Sequence, residues 1–348
     1  ALGIYLHQLW LLYFGSGVLG GIGLGLGYIS PVSTLIKWFP DRPGMATGMA
    51  IMGFGGGGMI ASPLSMYLMD RFRSDSSTGV FETFLIMGAI YLVVMLFGAF
   101  LVRVPAEGWK PKGFDPSRIQ QKKMVTSQHV LVDNAVKTRQ FYLLFGVLML
   151  NVTAGIGVLG QASVMIQELF SEASVGAAKA IDAKKAAGFV MLLSLFNMAG
   201  RFFWSSLSDY IGRRNTYILF FSLGILLYAA IPSIGASGSV VLFIAAFAVI
   251  ISMYGGGFAT IPAYLRDLFG TKQVGAIHGR LLLAWSAAAI LGPVLINYLR
   301  QYQLEVKGLP AAEVYSVTMY IMAGLLFIGL LSNLLVTPVH GSFHEKQK

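Results

Sequence analysis

The chain has 348 residues, with 25 Lys or Arg against 15 Asp or Glu and a formal net charge of +10. Only 11% of residues are charged and 56% are hydrophobic, against roughly 25% charged in an ordinary soluble domain, which excludes a disordered protein and a soluble globular surface. The absence of Cys excludes a disulfide scaffold, Cys-ligated zinc, an iron–sulfur cluster and a cysteine nucleophile. The basic excess does not point to nucleic acid, because the charges lie between long apolar runs; that arrangement points to the lipid bilayer.

A spanning helix needs about 20 mostly apolar residues. Nine runs qualify, at residues 9–36, 44–69, 81–102, 140–167, 186–207, 216–234, 239–264, 274–299 and 313–336. The first, second and eighth are rich in glycine. The one long polar stretch is 103–139, with Pro105, Pro111 and Pro116. Lys and Arg set the orientation. One side collects Lys37, Arg42, eight basic residues from Arg103 to Arg139, Arg213, Arg214, Arg266, Lys272, Lys346 and Lys348. The other holds Arg71, Arg73, Lys179, Lys184, Lys185, Arg300 and Lys307. The richer side, with the central loop and the C-terminus, is expected to be cytoplasmic, and the protein to be a multi-pass protein of the cell membrane.

The end of the first span and the start of the second, from Tyr28 and Pro31 through Lys37, Phe39 and Pro40 to Gly44 and Gly48, have a faint echo. It runs from Phe258 and Pro262 through Arg266, Phe269 and Gly270 to Gly275 and Gly279. Spans 1–3 then pair with spans 7–9, and spans 4–6 lack a partner. The simplest account is two parallel six-helix repeats of the transporter kind, with three helices before residue 1 absent from this sequence. Residues 1–102 are then what remains of an N-terminal half. Residues 103–139 are the central loop, 140–338 the C-terminal half and 339–348 a cytoplasmic tail.

Gly17, Gly21 and Gly25 recur every four residues, and Gly53 and Gly55 to Gly58 line the next span. A nucleotide loop needs a strand before its glycines and a helix after them; these glycines lie inside apolar spans, where close helix packing is the better reading. At the end of the fifth span, Asp209 precedes Gly212, Arg213 and Arg214. An acid there can pair with the arginines or with a neighbouring helix N-terminus, making a breakable clasp on the cytoplasmic side.

Two basic residues, Arg201 and Arg280, fall inside spans, and no Asp or Glu lies deep in any. Arg201 is eight residues before Asp209, roughly 12 Å along the helix. A cation at that depth costs several kcal/mol unless it faces a cavity or a partner, so Arg201 is expected to bind an anion in a central cavity. Asn197, four residues earlier, shares its face and can hydrogen-bond the same ligand. Arg280 either reaches the ligand or snorkels to the surface, and Trp285 is a pocket wall or core. The five histidines show no metal-ligand spacing; His278 alone is near the expected cavity, where packing is the favoured role. The sequon Asn151-Val-Thr153 falls within a span and is expected to be unused. No clustered acids or histidines suggest an intramembrane enzyme, and neither a cofactor nor a metal is expected.

Several stretches are familiar together. Lys37-Trp-Phe-Pro-Asp-Arg-Pro-Gly44, Lys137-Thr-Arg-Gln-Phe141, Asn151-Val-Thr-Ala-Gly-Ile156, Asn197-Met-Ala-Gly-Arg-Phe-Phe-Trp204, Ser208-Asp-Tyr-Ile-Gly-Arg213 and Trp285-Ser-Ala-Ala-Ala-Ile-Leu-Gly-Pro293 resemble the oxalate/formate antiporter family of the major facilitator superfamily. The resemblance covers nearly the whole chain in order. It implies an all-α integral-membrane bundle of twelve helices, of which this chain carries the fourth to the twelfth. It also implies that Arg201 binds carboxylate and that Tyr28 lines the pocket. Phe54, Tyr254 and Phe258 fall at further pocket positions, with different residue types. Trp285 stands where the oxalate transporter has a lysine. One arginine holds one carboxylate bidentately, so a monoanion such as formate, lactate or pyruvate is expected over oxalate. Monocarboxylate transporters, which look similar here, have an Asp linked to proton coupling where Asn197 stands, so that coupling is not implied. The resulting expectation is an alternating-access carrier of a small organic anion, monomeric at full length. Oxalate/formate-type exchange and a truncated, non-transporting membrane protein are the alternatives.

Overall fold

The computed structural model describes residues 1–74, 77–106, 108–114, 124–177, 179–311 and 313–345. Pro116, Arg118, Lys122, Lys123, Lys346 and Lys348 lie outside the described residues. Among those described there is no strand, and nine helices are long and apolar enough to cross a membrane. They are α1 (Leu9–Trp38), α2 (Pro43–Arg71), α3 (Val80–Leu101), α4 (Arg139–Leu169), α5 (Ala183–Ile211), α6 (Arg213–Ala236), α7 (Val240–Phe269), α8 (Val274–Glu305) and α9 (Ser316–Leu334). All nine apolar runs of the sequence are therefore helices, most of them longer than the runs. Apolarity marks only the lipid-facing length, and backbone hydrogen bonding carries each helix on into its polar ends.

Local chemistry explains several ends. Pro43 opens α2 at a position whose N–H has no helical partner. The side chains of Thr138 and Asp182 cap α4 and α5 by accepting from Phe141 N at 3.3 Å and Lys185 N at 2.8 Å. Prolines lie inside α1, α2, α6, α7 and α8, as packed membrane helices tolerate.

The core sits around α7, in which every residue from Met253 to Phe269 is buried. Helices α4, α5, α6, α8 and α9 supply the rest, with Phe220, Phe221 and Phe247 among the fully buried rings. Helix α2 joins this core by crossing α5, and α3 packs chiefly against α2. The glycine rows of α1 and α2 differ in their neighbours. A Cβ added at Gly17, Gly21 or Gly25 meets nothing within 4 Å, whereas α2 glycines nearer the helix start meet α5 directly.

The ends of the helices that carry Lys37, Arg42, Arg213, Arg266 and Lys272 form one basic end of the bundle. Part of the polar 103–139 stretch is fastened there. Thr126 N donates to Asp267 O at 2.8 Å, Val130 N to Phe269 O at 2.9 Å and Val132 N to Gln273 Oε1 at 2.6 Å. The segment 340–345 lies beside it, with Glu345 N on His129 O at 2.8 Å.

Candidate functional site

Glycines let three helices converge on one point. A Cβ at Gly200 of α5 would stand 2.1 Å from Ser252 O of α7, and one at Gly55 of α2 would stand 3.0 Å from Arg201 Nε. No side chain fits at the first, so α5 and α7 touch backbone to backbone there, and α2 closes over them.

Arg201 lies at this crossing and is 2% exposed. Its Nε donates to Asn197 Oδ1 at 3.1 Å and its Nη1 to Ile51 O at 3.2 Å. Both partners are neutral. Its guanidinium carbon sits 5.2 Å from the Phe54 ring centre and 5.3 Å from that of Phe258. Tyr28 touches the same two rings, at 6.2 and 5.4 Å, and so does Trp285, at 6.0 and 5.3 Å. Two phenyl rings thus wall a slot, and a guanidinium, a phenol and an indole each reach both walls. Phe54 is 42% exposed, while Phe258 is buried. The Tyr28 hydroxyl and Trp285 Nε1 are buried without a hydrogen-bond partner.

The other buried arginines among the described residues differ. Arg213 donates to Asp209 Oδ1 at 2.5 Å and to Asp267 Oδ2 at 3.2 Å, and Arg266 to Asp267 Oδ1 at 3.0 Å. Nearer the opposite end, Arg300 pairs with Glu168, and the Tyr315 hydroxyl donates to Glu168 at 2.5 Å. Arg201 alone of the three buried arginines has no carboxylate.

Asp209 does both things the sequence allows it. Besides Arg213 it accepts from Gly44 N at 2.9 Å and Met45 N at 2.8 Å, at the start of α2. A carboxylate there matches the positive end of the helix dipole. Arg266 adds a bond to Pro40 O at 3.1 Å. A cleft of about 630 Å³ lies beside this network, bounded by Asp209, Arg213, Arg266 and Asp267.

Two expected site residues lie elsewhere, and a third, Tyr254, faces two neighbourhoods. Arg280 is outside the slot: it donates to Asp133 Oδ1 at 3.1 Å and is 46% exposed, because the basic end is within reach of its long side chain. Tyr254 packs against Gly155 of α4 and borders a void of about 20 Å³ with Asn151 and Tyr228, and its phenol is also near enough to Arg201 to interact with it electrostatically. Arg214 donates to Leu334 O at 2.5 Å instead of joining the clasp, because it emerges on the side of α6 that faces α9. Sequence reasoning missed Asp267, which ties α7 into the clasp; its place one residue after Arg266 was the available signal. His278, expected to pack, is buried with its ring edge-on to Tyr28 at 5.6 Å.

Comparisons with known proteins agree with this architecture. The model of the Major Facilitator Superfamily matches residues 1–293 and 186–348. The chain is 28% identical over 275 residues to the oxalate:formate antiporter of Oxalobacter formigenes, covering 79% of this chain and 59% of that protein. It is 25% identical over 283 residues to YhjX, an uncharacterised transporter of the superfamily from Escherichia coli, covering 81% and 64%. With monocarboxylate transporter 11 of Homo sapiens it shares 23% over 334 residues, covering 92% and 63%. It therefore spans roughly three fifths of the length of these relatives. The relatives are transport proteins, and the bundle of apolar helices is of the same kind: the chain belongs to the Major Facilitator Superfamily.

Proposed function

We propose that the protein carries a small monocarboxylate across the membrane by alternating access, with Arg201 receiving the carboxylate. The observation that supports this most is the contrast among buried arginines. Arg213 and Arg266 meet carboxylates, while Arg201, deeper in the bundle, has only a neutral amide and a carbonyl. A buried cation left with its charge is costly unless an anion completes it. Formate, lactate and pyruvate fit a single guanidinium bidentately. The named activities of the oxalate:formate antiporter and of the monocarboxylate transporters support an organic anion. Oxalate is disfavoured, because a second carboxylate in the slot has no second cation: Trp285 is uncharged and Arg280 is held by Asp133.

In this reading Asn197 orients Arg201, and Tyr28, Phe54, Phe258 and Trp285 shape the slot. Asp209 and Arg213 close the basic end, which is cytoplasmic along with the C-terminus. Helices α1–α3 belong to one half of the carrier and α4–α9 to the other, in the cell membrane.

Ligand-induced thermal stabilisation of the purified protein tests the proposal. Formate, lactate, pyruvate and oxalate are compared on the wild type and on Arg201→Gln. A monocarboxylate is expected to raise the Tm of the wild type and leave the folded variant unmoved. Stabilisation by oxalate alone would transfer the reading to dicarboxylate exchange. No response to any of the four, in a folded protein, would favour a different substrate class or a membrane protein that does not transport.

A further inference from the structure

The slot has a second pole, made of uncharged donors. Besides the Tyr28 hydroxyl and Trp285 Nε1, His278 Nε2 is buried with no hydrogen-bond partner, and the whole His278 side chain is 2% exposed. Unpaired buried polar groups are costly and uncommon. Here three of them meet in one chain of ring contacts, His278 to Tyr28 and Tyr28 through Phe54 and Phe258 to Trp285.

Their meeting has a structural cause. Gly275 and Gly279 on the first turns of α8 approach α1 closely: a Cβ at Gly279 would lie 3.1 Å from Ile29 Cδ1, and one at Gly275 3.2 Å from Ser33 Cβ. That approach delivers the His278 ring to Tyr28. Trp285 follows seven residues later, two helical turns on, and returns to the same side of the helix. A cage built only to exclude water would use phenylalanine or leucine at all three positions. An imidazole and a phenol each donate or accept, and an indole donates. Such a set suits an oxygen with no net charge, either carbonyl or hydroxyl.

We propose that His278, with Tyr28 and Trp285, is a specificity-determining pole that reads an uncharged oxygen adjacent to the ligand's carboxylate. The site then selects 2-oxo and 2-hydroxy monocarboxylates over carboxylates lacking that oxygen. This rests on the assignment of the carboxylate to Arg201. The guanidinium holds the charge at one edge of the phenyl walls, and the neutral donors at the other edges take the second oxygen. A polar group built to meet a ligand oxygen discriminates because an analogue without it leaves the protein group unpaired.

The test is equilibrium binding to the purified full chain with matched acids. Lactate and pyruvate carry the 2-oxygen, and propionate has the same carbon skeleton without it. Wild type, His278→Phe, Tyr28→Phe and Arg201→Gln are compared. Lactate and pyruvate are expected to bind the wild type at least about tenfold tighter than propionate. Both Phe variants should reduce that preference to under about threefold by weakening lactate and pyruvate binding more than propionate binding, a differential loss that a merely structural role would not produce. Tyr28→Phe carries the prediction on its own if His278→Phe does not fold. Equal loss of affinity for all three acids in the Phe variants would overturn the proposal, and so would equal wild-type affinities for lactate and propionate. If Arg201→Gln still abolished binding in that second case, the carboxylate assignment would stand. Absence of binding by any of the three acids to the wild type would overturn that assignment and the pole with it.

Discussion

Asn197 holds Arg201 through a neutral oxygen at 3.1 Å, and that neutrality leaves the guanidinium charge unmatched, as the proposed carboxylate site requires. The alternative is seen in the same molecule at Arg300, whose charge is already matched by Glu168. Asn197→Asp would convert one situation into the other without changing the shape of the side chain. An internal carboxylate would then compete with the substrate, and anion affinity is expected to fall about tenfold or more, ~1.4 kcal/mol or more. Asn197→Ala, which removes the acceptor and adds no charge, should cost less. Titration of both variants with one monocarboxylate checks the order, and a larger loss in Asn197→Ala would mean that orientation outweighs charge. At this scale the site was half legible. A deep arginine with no deep acid marks itself by its hydration cost, so Arg201 could be picked from the sequence. The meeting of His278 with Tyr28 could not, because it depends on how α8 packs on α1. Arg280 was ambiguous for a further reason: a long side chain near a helix end reaches either way.

Between the elements, residues 124–132 at the end of the polar stretch that reads as a loop form a strap. Thr126 and Val130 bond the last carbonyls of α7, and the segment 340–345 holds the strap from the other side. Lys272 meets Glu345 Oε1 at 2.7 Å, and an isolated antiparallel bridge joins Val130 to His344. Composition could not show this, since a strap held mainly by backbone hydrogen bonds needs no particular side chains. His344 sits in that contact with both ring nitrogens buried and unpartnered. Burial first, and the neighbouring His340 second, hold its pKa below the usual histidine value. When the tail detaches, His344 returns to an ordinary pKa of about 6.5 and binds more protons than in the docked state. Its contribution is therefore fully present above about pH 6.5 and declines as the pH falls below that value. Amide exchange, corrected for intrinsic rates, should show Val130 and Glu345 losing protection between about pH 7.5 and 5.5 relative to α7 amides. His344→Gln should abolish the pH dependence, and a flat protection ratio in the wild type would remove His344 from the account.

Over the whole molecule, the contacts of α1 and α2 with α5, α7 and α8 run from the basic end to the slot. Arg266 reaches Pro40, Asp209 caps α2, Thr47 Oγ1 lies 3.2 Å from Ser205 Oγ, and Phe54 meets Arg201. Beyond the slot, Gly57 and Gly58 of α2 and the glycine row of α1 have no neighbour within 4 Å. Nine spans could be counted in advance because bilayer thickness fixes their length. Which of them touch could not, because a glycine permits close approach without naming the partner. Contact between α2 and α5 is closest towards the basic end, where Asp209 of α5 bonds the start of α2 and Arg213. If the clasp holds α2 against α5, neutralising Asp209 must loosen it. Asp209→Asn removes the charge that matches the α2 dipole and the partner of Arg213, and leaves a buried guanidinium less well paired. The chain has no Cys, so a single Ala46→Cys reports from the start of α2, where Ala46 is 1% exposed and no side-chain hydrogen bond is lost. A membrane-impermeant thiol reagent is expected to label this position slowly with Asp209 present and several times faster with Asp209→Asn. Loss of stability alone would also quicken labelling, so the melting temperature of the pair is measured alongside. Faster labelling well below the melting transition identifies opening of the basic end, while equal rates would mean that glycine-mediated contact between α2 and α5 holds this end shut without the clasp.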